Sequence, residues 1–418
     1  MNNLEKLFAM KKTENGDETF STTGDNLLDI LFMSEYYSKH LKEVHIGTTD
    51  EEKLFAMFMR DPRYGIGKRD LGRKLMELAD VSPENVVKCG RFDDLWHIGK
   101  LAHTNYLCEQ VLAGNELAKK WCPRYSSKNL PVARELAKMW GLNKQQYGKL
   151  IKCDTTENKL SRKRTNEIKF EQVPSLAMIK YYNRFERGED TAERFKAYLE
   201  QVKAGKKELK VSTTTVYDIY RNRSKIDADL FFNKLEKIDI NCVPIIDTSY
   251  SMCDANDSIG KALSIGHYLG KCTSYCNNYV VSFSSNPKLM KITGMTYQDQ
   301  INSLHTGDCS NTDLKKVMEL FKNLEDVPEY LVILSDMEFD CGSRHSTKEL
   351  MNYWQEKGYK TKIVWWNLNA RHTTVPQTDD EGNIYMSGYS PMLLKFLQCG
   401  FDGKKFLQKL LEEYSKML

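Results

Sequence analysis

Apolar residues recur at spacings of three and four along the first half of the chain. The clearest series are Leu27, Leu28, Leu31 and Phe32, and then Leu54, Phe55, Phe58 and Met59. This spacing places apolar side chains on one face of a helix. Because strand-like alternation is nearly absent from Asn26 to about Glu200, we predict that this region is all-helical.

The second half of the chain alternates short apolar runs with amphipathic segments. We predict strands near 239–246, 279–284, 288–293, 330–335 and 362–367, and helices near 256–272, 312–324, 345–357 and 403–416. This rhythm is typical of a mainly parallel sheet between helices, with 288–293 as an antiparallel edge strand. The predicted fold class of this half is α/β, doubly wound and Rossmann-like.

The predicted fold is therefore multidomain. A short internal repeat, at Glu116–Trp121 and again 19 residues later at Glu135–Trp140, fits an all-α helical-repeat module of the HEAT-like kind. We predict an N-terminal segment at 1–25, flexible or packed on the rest, then the helical module at 26–235 and the α/β domain at 236–418. A chain of 418 residues is longer than one core usually supports.

The composition is that of an ordinary soluble protein, with 41% hydrophobic and 28% charged residues. No apolar stretch approaches the roughly 18 residues needed to span a bilayer, and the start lacks the pattern of a signal peptide. We expect a cytoplasmic protein that does not bind membranes.

Three loops of the α/β half carry oxygen donors where strands end or helices begin. Asp247, Ser249 and Ser251 follow the apolar run 238–246, Thr312 precedes a helix, and Asp336 ends the run 330–335. Alternate residues of an extended loop face the same way, and carboxylates and hydroxyls are hard donors. This pattern predicts a Mg²⁺ site, which Mn²⁺ or Ca²⁺ also suit. The alternative is structural, with Ser251 and Thr312 as helix N-caps and Asp336 as a turn residue.

This ordered pattern closely resembles the metal-ion-dependent adhesion site of von Willebrand factor A domains. The five residues that match its positions are Asp247, Ser249, Ser251, Thr312 and Asp336. The resemblance implies that the hydroxyls touch the metal, that the acids act largely through water, and that a partner carboxylate can fill the open coordination position.

A second resemblance covers the chain from about Asn26 to its C-terminus. The motifs that carry it lie at Arg63–Leu75, Cys89–Trp96, Val173–Ile179 and Ser387–Leu394. Together they resemble the bacterial, viral and plant branch of Ro/TROVE proteins that joins a helical-repeat module to an A domain. The resemblance implies RNA binding by the helical module, because the repeats of Ro autoantigens form a ring that binds misfolded RNA ends and structured small RNAs.

The net charge of +4 is unevenly distributed. Residues 1–236 hold 42 Lys and Arg against 35 Asp and Glu, whereas the remainder holds 19 against 22. The basic candidates for contact with RNA phosphates are Lys68, Arg69, Arg73, Lys74, Lys119, Lys120, Arg124, Lys128, Arg162, Lys163 and Arg164. Trp121, Tyr125 and Tyr147 lie nearby in sequence for stacking on unpaired bases. Any single basic cluster is most often a solvated helix face.

Two functions from different classes follow. The first is a non-catalytic scaffold that binds structured or single-stranded RNA and presents a metal site to an acidic protein ligand. The second is a protein interaction module in which both halves bind polypeptides without RNA. An enzyme is disfavoured, since HExxH, P-loop, GxSxG and GxGxxG motifs are absent from the sequence.

Overall fold

The chain forms two compact units. The computed structural model describes residues 3–126, 128–254, 256–305, 310–376, 383–389, 393 and 406–418. The sheet unit comprises Met1–Val44 and Val211–Met417, and the helical unit is His45–Lys210. The helical unit is thus inserted in the chain between two parts of the sheet unit.

The N-terminal part of the sheet unit begins with a helix and a two-stranded hairpin. Its elements are α1 (Asn3–Ala9), β1 (Met10–Lys12), β2 (Glu18–Phe20), α2 (Asn26–Phe32) and α3 (Ser34–Lys39). β1 and β2 pair antiparallel. Phe20 and Val375 exchange backbone hydrogen bonds of 3.0 and 2.9 Å. Strand β2 of the hairpin is therefore paired with the segment around Val375.

The helical unit contains α4 (Asp50–Arg60), α5 (Arg69–Leu78), α6 (Pro83–Cys89), α7 (Phe92–Ile98), α8 (Leu101–Leu112), α9 (Glu116–Trp121), α10 (Leu130–Met139), α11 (Lys144–Leu150), α12 (Thr156–Ser161), α13 (Ser175–Arg187) and α14 (Ala192–Lys203). Every regular element among its described residues is helical, as predicted. The two copies of the short internal repeat fall in α9 and α10. Residues 45–210 as a whole hold 33 Lys and Arg against 23 Asp and Glu, which gives the helical unit a formal charge of +10.

The second part of the sheet unit has a mixed six-stranded sheet with flanking helices. Its strands are β3 (Cys242–Asp247), β4 (Tyr279–Phe283), β5 (Lys288–Lys291), β6 (Tyr330–Ser335), β7 (Lys362–Asn367) and β8 (Asn383–Ser387). The order is β5-β4-β3-β6-β7-β8, and among these described strands β5 alone pairs antiparallel. The predicted antiparallel edge strand is confirmed. β8 was not predicted, because a five-residue run with polar ends gives a weak strand signal.

The helices of this part are α15 (Val216–Asn222), α16 (Ala228–Lys234), α17 (Ser258–Cys272), α18 (Tyr297–Asn302), α19 (Leu314–Phe321), α20 (Ser343–Glu356) and α21 (Phe406–Met417). The division of the chain into units differs from the predicted domain boundaries of 26–235 and 236–418. α15 packs on α17, and α2 packs on β8, where the Phe32 and Tyr385 rings meet edge to face at 5.0 Å. Residues 26–44 and 211–235 therefore bury their apolar faces in the sheet unit.

The central strands explain how the sheet positions its loops. β3 and β6 are buried along their whole length, as continuous apolar runs in parallel sheets usually are. α17 crosses close to β3 at Gly266, where an added Cβ would come within 2.4 Å of the Ile246 side chain. The loop between β3 and α17 is thereby held at the carboxyl edge of the sheet, where doubly wound folds place ligands.

A buried histidine on α17 makes the stability of the sheet unit pH-dependent. Burial lowers the pKa of His267 to about 4, below the ordinary value of 6.5 that it has when unfolded. Its neutral form is favoured in the fold, so the contribution is complete above pH 6.5 and is lost as pH falls toward 4. We expect His267 to account for about 2 kcal/mol of lost unfolding free energy between pH 7 and 5.

Chemical denaturation of the parent and of His267→Phe across that range measures this effect. The Phe ring suits the surrounding aromatic side chains of Phe232 and Tyr297. The variant should lose less stability than the parent on acidification, whatever its stability at pH 7. Equal pH slopes would contradict the assignment.

Candidate metal centre

The candidate metal centre lies at the ends of two neighbouring parallel strands. Ile246 of β3 lies opposite Leu334 of β6, so Asp247 and the Ser335–Asp336 pair emerge at the same edge. The Ser335 hydroxyl donates to Asp247 Oδ2 at 2.5 Å. The side chains of Asp247 and Asp336 are both fully buried.

The loop after β3 turns back over these carboxylates. The Ser249 backbone N–H donates to Asp247 Oδ1 at 2.9 Å, which is the local turn that short acidic side chains favour. The hydroxyls of Ser249 and Ser251 lie 3.0 Å apart, and the Ser251 hydroxyl hydrogen-bonds to Asp336. Four of the five predicted metal residues therefore form one connected cluster.

Thr312, the fifth, is buried on the neighbouring loop. The Tyr250 backbone N–H donates to the Ser310 carbonyl at 3.3 Å. This bond joins that loop to the serine loop, which is the loop after β3 that carries Ser249 and Ser251. The Asp340 backbone N–H donates to the Thr312 carbonyl at 3.0 Å, which joins it to the segment after β6. Residues 307–309, which complete the motif before Thr312, lie outside the described residues.

The two buried carboxylates oppose each other's ionisation. Burial first, and the Asp336 charge second, raise the pKa of Asp247 to about 7. Burial also raises the pKa of Asp336, although the Arg371 guanidinium, 3.1 Å from its Oδ2, acts in the other direction. A cation between the two carboxylates would relieve both effects.

The donor chemistry fits a hard divalent cation. In the described part of the chain, no group of three or more His, Cys, Asp or Glu side chains is arranged to hold a metal. A metal at this edge therefore depends on hydroxyls as well as on Asp247 and Asp336, the donor set that suits Mg²⁺, Mn²⁺ or Ca²⁺. The residues present fit the predicted site.

Three residues that the sequence did not single out lie around this cluster. Arg371 contacts Asp336, and the N-terminal hairpin brings Glu14 and Asn15 to the same place. Hairpin and site are about 300 residues apart in sequence, and local patterns carry no signal for such a contact.

The structure brings some of the basic candidates onto neighbouring segments of the helical unit. Lys120 of α9 pairs with Glu157 of α12 at 3.9 Å, which places α9 beside α12, the helix that Arg162 and Lys163 follow. Exposed members of the set are Arg69, Arg124, Lys128, Arg162 and Lys163. Lys68 is half-buried. Others have acidic neighbours within ion-pair distance, namely Lys74 with Glu77, Lys119 with Glu116, and Arg164 with Asp154 and Glu167.

Arg73 lies inside the helical unit, which removes it from the candidate RNA surface. Its Nε donates to Asp94 Oδ1 at 2.6 Å and its Nη2 to Asp93 Oδ2 at 2.9 Å. Asp94 also accepts from Arg60 at 2.8 Å and from the Arg91 backbone N–H at 2.8 Å, so it caps α7 as well. This buried network needs each of its charges, because a partner left alone would be an unpaired buried ion.

The aromatic candidates differ in their exposure. Tyr147 is fully buried and its hydroxyl donates to the Pro123 carbonyl at 3.1 Å, so the prediction that it stacks on bases is wrong. The Arg91 guanidinium lies over the half-buried Trp121 ring at 4.1 Å. Lys144 lies over the Tyr125 ring at 5.6 Å. Trp121 and Tyr125 therefore remain the aromatic candidates.

Two family models match the chain. Residues 241–415 match Domain of unknown function (DUF7788), and residues 144–237 match Domain of unknown function (DUF2828). The first covers the six-stranded sheet and the candidate metal residues, and the second begins in the helical unit.

Individual relatives are distant. The chain is 24% identical over 349 residues to uncharacterized protein L728 of Acanthamoeba polyphaga mimivirus, covering 71% of this chain and 60% of the viral protein. A crystal structure of the Deinococcus radiodurans Ro (RSR) protein is similar at 14% identity, with 87% of this chain and 62% of that one covered. Its TM-score of 0.35 is too low to support an argument about function.

We expect Mg²⁺ to stabilise the parent protein through this centre. At a free concentration about 100-fold above Kd, binding to the folded state alone adds about 2.7 kcal/mol to the free energy of unfolding. Asp247→Asn removes one of the two buried charges without changing the size of the side chain. Thermal unfolding with and without Mg²⁺ should therefore show a gain for the parent and little or none for the variant.

Asp313→Asn is the matched control. Asp313 lies next to Thr312 and caps α19 through the Lys316 backbone N–H, a role that Asn also fills. This variant should keep the Mg²⁺ response. A full response in Asp247→Asn would mean that Mg²⁺ binds elsewhere.

Proposed function

We propose that the chain is a cytoplasmic, non-catalytic RNA-binding scaffold of the Ro/TROVE type. In this proposal the helical unit is a HEAT-like array that binds structured or single-stranded RNA. The sheet unit is a von Willebrand factor A-like domain whose Mg²⁺ site binds a ligand. The proposal draws on the sequence motifs, on the single antiparallel edge strand of the sheet, and on the site residues at the strand ends.

The observation that carries RNA binding is the separation of charge between the two units. The helical unit has a formal charge of +10, whereas the sheet unit, with 28 Lys and Arg against 34 Asp and Glu, has −6. The contrast is sharper than the one expected from the sequence, because the structural boundaries move acidic residues into the sheet unit. A basic unit attracts a polyanion, and the acidic one does not.

The metal centre supports binding rather than turnover. Mg²⁺ held there would offer an open coordination position to a carboxylate of an acidic partner. Nuclease-like metal chemistry favours clustered carboxylates as direct ligands, whereas hydroxyls of Ser249, Ser251 and Thr312 form much of this donor set. The proposed ligand of the sheet unit is therefore an acidic protein segment.

A protein interaction module without RNA is the second candidate. It is favoured by the acidic partners already present beside Lys74, Lys119 and Arg164, which reduce the charge open to phosphates. It is also favoured by Tyr250, which is 78% exposed and lies in sequence between the candidate metal residues Ser249 and Ser251. An exposed aromatic side chain at the rim of a site is typical of protein recognition.

Salt dependence separates the two candidates. We expect the helical unit, in the full chain, to bind a fluorescein-labelled single-stranded oligouridylate or an RNA hairpin. The logarithm of the affinity should fall by about 0.7 to 0.9 for each phosphate contact per tenfold rise in salt. Fluorescence anisotropy across salt concentrations measures the slope, and weak, salt-insensitive binding would favour the protein module.

Charge reversal locates the RNA surface. Arg162→Glu with Lys163→Glu changes two exposed residues after α12, and we expect binding about tenfold weaker at low salt with a shallower slope. The matched control, Lys348→Glu with Lys360→Glu, makes the same charge change on exposed residues of the sheet unit. Equal losses in both double variants would point to a general charge effect and not to a surface on the helical unit.

A further inference from the structure

The turn of the N-terminal hairpin lies on the loop that follows the metal residue Asp336. This hairpin tip, Thr13–Gly16, makes three hydrogen bonds to that loop. The Thr13 hydroxyl donates to the Phe339 carbonyl at 2.8 Å, and the Glu14 backbone N–H donates to Glu338 Oε2 at 2.8 Å. Asn15 Nδ2 donates to the Glu338 carbonyl at 2.6 Å.

The strands beside the tip are anchored as well. Asp17 accepts from the backbone N–H groups of Gly342 at 2.9 Å and Arg344 at 2.8 Å, at the start of α20. The Lys11 ammonium donates to the Thr373 hydroxyl at 3.0 Å. The hairpin is therefore a docked part of the sheet unit on both sides of its turn.

Two contacts connect the tip to the metal residues themselves. Asn15 Nδ2 lies 3.4 Å from Thr312 Oγ1. Arg371 Nη2 lies 3.1 Å from Asp336 Oδ2 and 3.0 Å from Glu14 Oε2, so one guanidinium nitrogen bridges a metal residue and the hairpin tip. His372 Nε2 also contacts Glu14, at 2.7 Å from Oε1.

These contacts determine which charged groups surround a cation bound at Asp336. The Arg371 guanidinium stands beside Asp336 and repels a divalent cation bound there. The Glu14 carboxylate opposes that repulsion, because it sits on the same guanidinium nitrogen. Since Asp336 is fully buried and Arg371 is about one-third exposed, the field between these groups is only partly screened by water.

We propose that the hairpin tip is a working part of the metal centre: docked Glu14 offsets Arg371 and thereby strengthens divalent-cation binding at Asp247 and Asp336. Asn15 is a positioning residue that orients the Thr312 hydroxyl. This inference rests on the proposed metal-binding function. Coupling between two binding events is reciprocal, so a bound cation also holds the hairpin in place.

Mg²⁺ titration by calorimetry, on the full chain, tests the charge argument. Glu14→Gln should weaken Mg²⁺ binding about threefold to tenfold, because Arg371 is left uncompensated. Arg371→Gln should strengthen it, and the double variant should bind about as tightly as the parent. A variant that merely disturbs folding would not bind more tightly, so Arg371→Gln keeps the test open if Glu14→Gln misfolds.

Glu18→Gln is the matched control in the same hairpin. Glu18 pairs with Arg344 at 3.3 Å instead of with a neighbour of the metal residues, and its loss should leave Mg²⁺ affinity unchanged. Hydrogen exchange tests the reciprocal effect, which is that a bound cation holds the hairpin tip in place. Mg²⁺ should slow exchange of the Gly16 backbone N–H, which donates to the Thr13 carbonyl at 3.1 Å, and of the Asp17 backbone N–H, which donates to the Thr13 hydroxyl at 2.9 Å.

The outcomes separate the two levels of the proposal. Parent protein that does not bind Mg²⁺ would overturn the metal centre and this inference together. Mg²⁺ binding of equal strength in Glu14→Gln and Glu18→Gln would overturn the inference alone. Faster exchange in the tip on addition of Mg²⁺ would also overturn it, since the coupling would then have the opposite sign.

Discussion

The sheet unit is organised around two buried carboxylates held side by side. β3 and β6 are adjacent and parallel, so Asp247 and Asp336 must emerge at one edge. Away from water the repulsion between the two carboxylates is strong. Hydroxyls, backbone N–H groups and the Arg371 guanidinium donate hydrogen bonds to them and reduce it. The serine loop, the Thr312 loop and the hairpin all contribute to the surroundings of that pair.

The helical unit also contains two buried carboxylates, but their surroundings differ. Asp93 and Asp94 are also buried, but Arg60 and Arg73 already pair with them inside the unit. Two buried guanidinium groups thus face those acids, whereas among the described residues the pair in the sheet unit has the partly exposed Arg371 guanidinium beside Asp336. Removing either partner of the helical network would leave an unpaired buried charge, whereas a cation beside Asp247 and Asp336 would reduce the repulsion between them.

Much of this architecture was readable from local patterns. β3, β6 and β7 were predicted because their apolar runs are continuous, and Asp247 and Asp336 because they end two of those runs. Features that depend on distant partners were not readable. The spacing of Lys68–Lys74 gives no sign that Arg73 turns inward, since Asp93 and Asp94 lie 20 and 21 residues away. The hairpin and Arg371 were missed for the same reason.

The docked hairpin also bears on the order in which the chain can fold. Its partners, such as Glu338 for Glu14 and Val375 for Thr19, follow it by 324 and 356 residues. During synthesis the inserted helical unit is complete long before those partners leave the ribosome, and its contacts are mostly between neighbouring helices. Domains generally fold as units from the N-terminus, and closure of long loops is slow. The hairpin is therefore made well before its partners and is among the last segments to reach its place, and until then the loops that carry Asp247, Thr312 and Asp336 form without it.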